Sequence, residues 1–537
     1  MLTSLLAALA IAAPPQAPGD IAIVPRPASV ERGTGTFTLG ERTVIVADRA
    51  TRALGHQLAD DLRPATGYRL AVRAGAPAAN TIVLRVDPAL ARLGEEGYRL
   101  DVTPQRVTIR AAATAGVFYG IQTLRHLLPP DVFRSAPVPG VRWTIPVVRI
   151  EDQPRFAWRG AHLDAGRHFM PKEFVRKYID LLALHKMNRF HWHLTEDQGW
   201  RLQIRRYPRL AEVGSCRSGT IVGHPGSDTT QYRYTTVPHC GFYTQDDVRE
   251  IVAYAAARFV TVVPEIEMPG HSQAAIAAYP ELGVTGRQLD VLRYWGVSEN
   301  ILNPTDATVR FYQDVLDEVM ELFPSPWIHI GGDEAVKNQW QASPAVQARI
   351  RALGLANEHA LQSWFIRQMD AYLTAHGRRL IGWDEILEGG LAPNATVMSW
   401  RGVGGGIAAA RAGHDVVMAP TSHTYFDYYQ SRDSVTEALR IGGYLPLETV
   451  YAFEPLPDSL TPEQQHHVLG AQGQLWSEYL PSPKDVEWQA YPRLSALSEV
   501  LWTPRELRDF ADFRVRLAAH LRRLDALDVN YWRERQR

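Results

Sequence analysis

The run ATVRFYQDVLDEVMELFPSPWIHIG, residues 307–331, decides the fold. Ala307–Leu322 sets apolar residues at helical spacing, and after a Pro-flanked turn Trp327–Gly331 is a short apolar strand. The same alternation recurs on both sides. Upstream lie strand Ala157–Leu163, helix Lys172–His185, strand Arg189–Leu194, helix Gln245–Arg258 and strand Val260–Pro264. Downstream come helix Ala345–Ala375, strands Arg379–Trp383 and Thr396–Trp400, helix Gly404–Ala412, strands Asp415–Ala419 and Gly470–Trp476, and helix Lys484–Leu501. Strands separated by helices require a parallel sheet, and eight of them across residues 147–537 predict a closed (β/α)8 TIM barrel. The chain ends on a helical, charged segment.

Ahead of the barrel, residues 19–146 carry strand-like runs at Thr43–Ala47, Thr81–Arg85, Tyr98–Thr103 and Arg106–Arg110. Helix-like Ala50–Leu62 and Ala115–Leu128 complete a small α+β domain, and Pro137–Pro146 reads as the linker. Residues 1–18 are apolar from Leu5 to Ala13, with small residues at Ala8, Ala10 and Ala12 and prolines after them. Although no Lys or Arg precedes that run, it resembles a secretory signal peptide and predicts export to the periplasm or the outside. No other apolar stretch nears the roughly 20 residues of a bilayer crossing, so stable membrane insertion is not expected.

Composition narrows the classes further. Of 537 residues, 45% are hydrophobic and 21% charged, which is ordinary globular usage. Fifty-seven Lys and Arg against 58 Asp and Glu leave a net charge of -1, so no field exists to hold nucleic acid. The only two cysteines, Cys216 and Cys240, lie in one stretch rich in Gly, Ser, Thr and His and are expected to form a disulfide.

A barrel presents its reactive groups where strands end. His329-Ile330-Gly331-Gly332-Asp333-Glu334 closes one strand with two glycines, where the backbone can leave the sheet, and two adjoining carboxyls. Carboxyls in one pocket drive their pKa values apart, leaving one protonated and one charged, as glycoside hydrolysis needs. Asp-Glu after Gly-Gly also suits a plain helix N-terminus. His191–Trp200 and Pro264–His271 close two more strands with dense titratable groups, in which an imidazole between carboxyls could tune an acid. Trp383-Asp384-Glu385, Trp400-Arg401, Tyr425-Phe426-Asp427 and Trp476-Ser477-Glu478 end the later strands in rings beside charged groups. Rings stack on a pyranose face and carboxylates bind its hydroxyl rim. Two rivals stand beside a glycosidase: a sugar-binding protein without turnover, and a metal-dependent barrel hydrolase using His191 and His193.

These segments, with Arg167-His168-Phe169 and the opening Ile23-Val24-Pro25-Arg26-Pro27, resemble the family 20 glycoside hydrolases, the β-N-acetylhexosaminidases, over nearly the full length. The resemblance implies a (β/α)8 catalytic barrel preceded by a small α+β domain. It also implies exo-acting, retaining hydrolysis of terminal β-linked N-acetylhexosamine, in which the substrate's own 2-acetamido oxygen is the nucleophile. By that resemblance Glu334 is the general acid and base, with a raised pKa, and Asp333 orients the acetamido nitrogen. Glu196 and His271 form a relay to Glu334, although many members carry Asp where this chain has Glu196. Arg167 clamps ring hydroxyls, Trp383, Trp400 and Trp476 wall the pocket, Tyr425 bonds the acetamido oxygen, and Asp427 and Glu478 bind the polar rim. No metal or organic cofactor is implied.

Overall fold

The computed structural model describes residues 21–433 and 437–534. The expected export signal, residues 1–18, lies outside the described residues. The first unit is a sheet of β1 (Ser29–Thr38), β2 (Val44–Ala47), β3 (Val72–Arg73), β4 (Thr81–Val86), β5 (Tyr98–Thr103), β6 (Arg106–Ala111) and β7 (Thr144–Asp152), in the order β1-β7-β5-β6-β4-β2-β3. Helices Arg52–Thr66 and Thr114–Leu127 pack on it, burying Leu58, Leu62, Tyr119 and Leu124 against Ile45, Ile82 and Ile109.

One expectation changes here, and one strand was not foreseen. The boundary at 146/147 falls inside β7, which pairs with β1 and β5 and carries the first unit to Asp152. Pro146 is tolerated because a proline lacks only the amide donor and β7 continues past it. β1 escapes sequence reading because nine of its ten residues are exposed and Gly33 and Gly35 interrupt it, so it shows no alternation.

The second unit is a closed barrel of eight parallel strands: β8 (Trp158–Asp164), β9 (Arg189–His193), β10 (Thr261–Glu265), β11 (Trp327–His329), β12 (Arg379–Trp383), β13 (Thr396–Ser399), β14 (Val416–Met418) and β15 (Val468–Gly473). β15 pairs with β8 to close the ring. All eight expected strands are present, while two of the expected helices are each two. Ala345–Ala375 divides into Pro344–Ala352 and Glu358–Ala375 at Gly354, whose φ of +65° ends the first helix. Lys484–Leu501 divides into Pro483–Ala490 and Arg493–Trp502, because Pro492 has no amide hydrogen to continue the ladder.

Buried charge joins the two units where the barrel strands begin. Arg159, at the start of β8, donates to Glu96 at 2.8 and 2.9 Å, and Asn188, just before β9, donates to the same carboxylate at 3.0 Å. Lys186 donates to Asp152 and to Tyr98, each at 2.9 Å, and the Trp502 indole also donates to Asp152 at 2.9 Å. A buried charge is tolerated only when paired, so these contacts fix the α+β domain at the strand starts and leave the strand ends free.

Candidate active site

Of the eleven residues singled out for catalysis or sugar binding, ten line one hollow at the strand ends and His271 stands behind it, against Glu334. A cavity of about 270 Å³ is lined by Arg167, Glu196, Asp333, Glu334, Trp383, Trp400, Tyr425, Asp427, Trp476 and Glu478. That volume falls below the roughly 300–1,000 Å³ usual for drug-sized ligands and suits one sugar ring rather than a chain.

The chain's local geometry aims the carboxyls. After β11, Gly331 and Gly332 take φ values of +66° and +91°, a region closed to most side chains, and turn the backbone out of the sheet. A Cβ at Gly331 would run into the Glu267 carboxylate. Asp333 then sits buried, whereas the Glu334 side chain is 39% exposed at the mouth. Glu334 and His271 both hold left-handed backbone, with φ of +46° and +48°, strain of the kind that collects at functional sites.

A charged chain runs behind the cavity. Arg167 Nη2 lies 3.0 Å from Glu196 Oε2, and Glu196 Oε1 lies 2.8 Å from His271 Nδ1. His271 Nε2 lies 3.4 Å from Glu334 Oε2 and 3.6 Å from Asp333 Oδ2. The Glu196–His271–Glu334 order is therefore present with the longer side chain at 196. Asp197, to which the sequence assigned no role, adds a second carboxylate 3.3 Å from His271 Nδ1. On the opposite wall, Trp383 and Trp476 stand 5.7 Å apart, Trp400 stacks on Tyr425 at 6.2 Å, and the Arg167 guanidinium lies 5.0 Å from the Trp476 ring. The indole of Trp400 donates to Glu385 Oε2 at 2.8 Å.

Electrostatics divide the carboxyls, but not in the expected sense. Burial pushes the Asp333 carboxyl well above its usual range, His271 opposes this, and Glu385 and Glu334 add to it. Hydrogen bonding to His271 holds Glu334 below its usual range against a burial penalty. Burial thus favours the neutral form of Asp333, and Glu334, expected to be raised, is lowered. Burial also raises Asp427 well above the usual range, with Glu478 beside it, and raises Glu478 despite Arg167.

Several lining atoms are buried without a hydrogen-bond partner: Arg167 Nε and Nη1, Asp333 Oδ1, Asp427 Oδ1 and Glu478 Oε2. Native proteins rarely leave such atoms unpaired, so a polar ligand is the natural complement. The sequence missed Thr421, Tyr428 and the Ile441–Gly443 turn, which complete the lining. Tyr428 directly follows a quoted motif, but the turn carries no titratable group that would have singled it out. His191 and His193 face the barrel interior beneath the cavity; His162, His191 and Glu265 bring potential metal-ligand atoms within 4.8 Å of one another. The Glu265 carboxylate in that group already accepts from the Trp383 indole at 2.8 Å.

Cys216 and Cys240 face each other on a short antiparallel pair and are bonded. Beside them, Arg217 Nη1 donates to the Arg167 carbonyl at 2.6 Å and His239 Nε2 accepts from the Phe169 amide at 2.9 Å. The bond thus ties down the segment behind the Arg167 loop. Replacing both cysteines with Ser is expected to cost about 3.5 kcal/mol in the chain-entropy model, read from the denaturant midpoint. An unchanged midpoint would contradict a stabilising bond.

Comparison with known proteins agrees with this geometry. Residues 156–505 match the catalytic domain of glycosyl hydrolase family 20, and residues 20–153 match its domain 2. The chain belongs to glycosyl hydrolase family 20. The two family matches meet after Asp152, where β7 ends. The β-hexosaminidase of Porphyromonas gingivalis is 48% identical over 521 residues, covering 96% of this chain and 65% of that protein. The chain therefore spans just under two thirds of that relative's length. A mutant Streptomyces plicatus β-hexosaminidase in complex with the product GlcNAc superposes with a TM-score of 0.83 at 34% identity, covering 97% of this chain and 98% of that one. The family 20 exo-β-N-acetylglucosaminidase of Vibrio harveyi, in complex with N-acetylglucosamine, gives 0.83 at 32% identity, covering 96% and 78%.

Proposed function

We propose that this family 20 chain is an exo-acting β-N-acetylhexosaminidase that removes one terminal non-reducing GlcNAc or GalNAc with retention of configuration. The observation that carries the reading is a one-ring hollow in which Arg167, Asp427 and Glu478 atoms without hydrogen-bond partners share the lining with buried Asp333 and the exposed Glu334. The relatives named above, and their complexes with GlcNAc and N-acetylglucosamine, support the sugar class.

In this reading Arg167, Asp427 and Glu478 hold ring hydroxyls while Trp383, Trp400 and Trp476 enclose the sugar and its acetamido methyl. Tyr425 donates to the acetamido oxygen and Asp333 accepts from the acetamido N–H. That oxygen attacks the anomeric carbon, Glu334 protonates the departing oxygen, and the positive oxazolinium forms beside the Asp333 carboxylate. Water, deprotonated by Glu334, then opens the ring.

The reaction needs Asp333 ionised and Glu334 protonated, against the directions in which their surroundings push them. The acetamido N–H gives Asp333 Oδ1 the donor it lacks and so favours its ionised form, while an aglycone over Glu334 removes water and raises its pKa. His271 Nε2, 3.6 Å from Asp333 and 3.4 Å from Glu334, can pass its own proton to Glu334 and take up the one from Asp333.

Product analysis tests the exo assignment. Chitooligosaccharides are expected to shorten by one sugar per event, with free GlcNAc as the only early product. Internal cleavage of long chains at comparable rate would overturn it. The Cys216–Cys240 bond suits an oxidising compartment, which supports export. No helix among the described residues is long and apolar enough to cross a membrane.

A further inference from the structure

We infer that Glu265 is a positioning residue that couples the Trp383 wall of the pocket to the Glu196–His271 relay through a Trp383–Glu265–His193–Glu196 chain. The inference rests on the hexosaminidase reading for its substrate, and on side-chain contacts in one barrel layer for everything else.

Register sets the chain up. Glu265, the last residue of β10, pairs with His193 of β9 on one side and with His329 of β11 on the other. All three side chains are fully buried. Trp383 ends β12 two residues beyond Ile381, which pairs with His329. Glu265 Oε1 accepts from the Trp383 indole at 2.8 Å, and His329 Nδ1 lies 2.9 Å from the same oxygen. Glu265 Oε2 contacts His193 Nδ1 closely and has His191 Nε2 at 3.1 Å. His193 Nε2 reaches Glu196 Oε2 at 3.1 Å, the oxygen that Arg167 also holds. One carboxylate therefore touches the acetamide wall with one oxygen and the relay's anchor with the other.

The charge pattern fits this geometry. Burial would raise the Glu265 carboxyl, but the imidazoles of His329, His193 and His191 hold it well below its usual range. Burial would likewise lower His193, yet Glu265 and Glu196 push it up to about 10. His191 is lowered to about 4 by burial and stays neutral, accepting from Gln472 Nε2 at 2.8 Å. His193, held between Glu265 and Glu196, is thus favoured as a cation behind Glu196. Removing the Glu265 charge frees His193 to lose its proton, which weakens the hold on ionised Glu196 and on the imidazolium it supports.

The two arms separate by substitution. Glu265→Gln keeps a carbonyl for the Trp383 indole but loses the charge, so kcat is expected to fall about 100-fold with KM little changed. Trp383→Phe removes the indole donor together with part of the wall ring and is expected to raise KM about tenfold with a smaller loss in kcat. Glu265→Ala loses both arms and is expected to show both effects. If it does not fold, Glu265→Gln and His193→Gln carry the test: their kcat losses should not add in the double variant, as for groups acting as one unit. Wild-type kcat in Glu265→Gln, or additive losses in the double variant, would overturn the coupling. A wild-type protein inactive on an aryl N-acetylglucosaminide would instead sink the hexosaminidase reading, whatever the variants do.

Discussion

Glu334→Gln is expected to lower kcat/KM on chitobiose about a thousandfold, within the range that general acid catalysis supplies. Glu334 sits at the exposed mouth with His271 Nε2 3.4 Å behind it, and in the proposed reading it meets the leaving oxygen. A glutamine has the same shape and no proton to give. Aryl N-acetylglucosaminides with good leaving groups need little protonation, so their loss in the glycosylation step should be far smaller. Steady-state kinetics on the two substrate classes reads the difference directly, and equal losses on both would remove Glu334 from the acid role.

Asp333→Asn is the second large effect. The side chain is buried beside Trp383 with Oδ1 unpaired, so its charge is least useful in the free enzyme and most useful when positive charge develops on the oxazolinium. Losing a preorganised partner of a transition-state charge typically costs about 100-fold to 1,000-fold in kcat. KM should change much less, because asparagine still offers a carbonyl to the acetamido N–H. A variant with wild-type kcat and a raised KM would mean that Asp333 only binds.

Much of this site was legible in the sequence because barrel chemistry collects at strand ends, where an apolar run gives way abruptly to polar residues. Trp327–Gly331 running into Asp333-Glu334 is the clearest case. The eight strands were readable for the same reason. The proton distribution was not legible: two neighbouring carboxyls announce a split, but burial of Asp333 and the His271 contact to Glu334 decide its direction, and both are tertiary. Nor was the role of Glu265. Its letter stood in a quoted motif, yet only parallel register shows that His193 and His329 flank it and that Trp383 reaches it from β12. The first unit was read least completely, since an exposed, glycine-broken strand such as β1 is held by its partner β7 and not by its own pattern.

The decisive measurement is the rate on a matched pair of aryl β-glycosides differing only at C2, one bearing the acetamido group and one a hydroxyl. With the amide as nucleophile, the acetamido sugar should be released with retained configuration, and the hydroxyl analogue should react at least about a thousandfold more slowly. Comparable rates on the two, or an inverted product from the acetamido sugar, would contradict attack by the substrate's own amide.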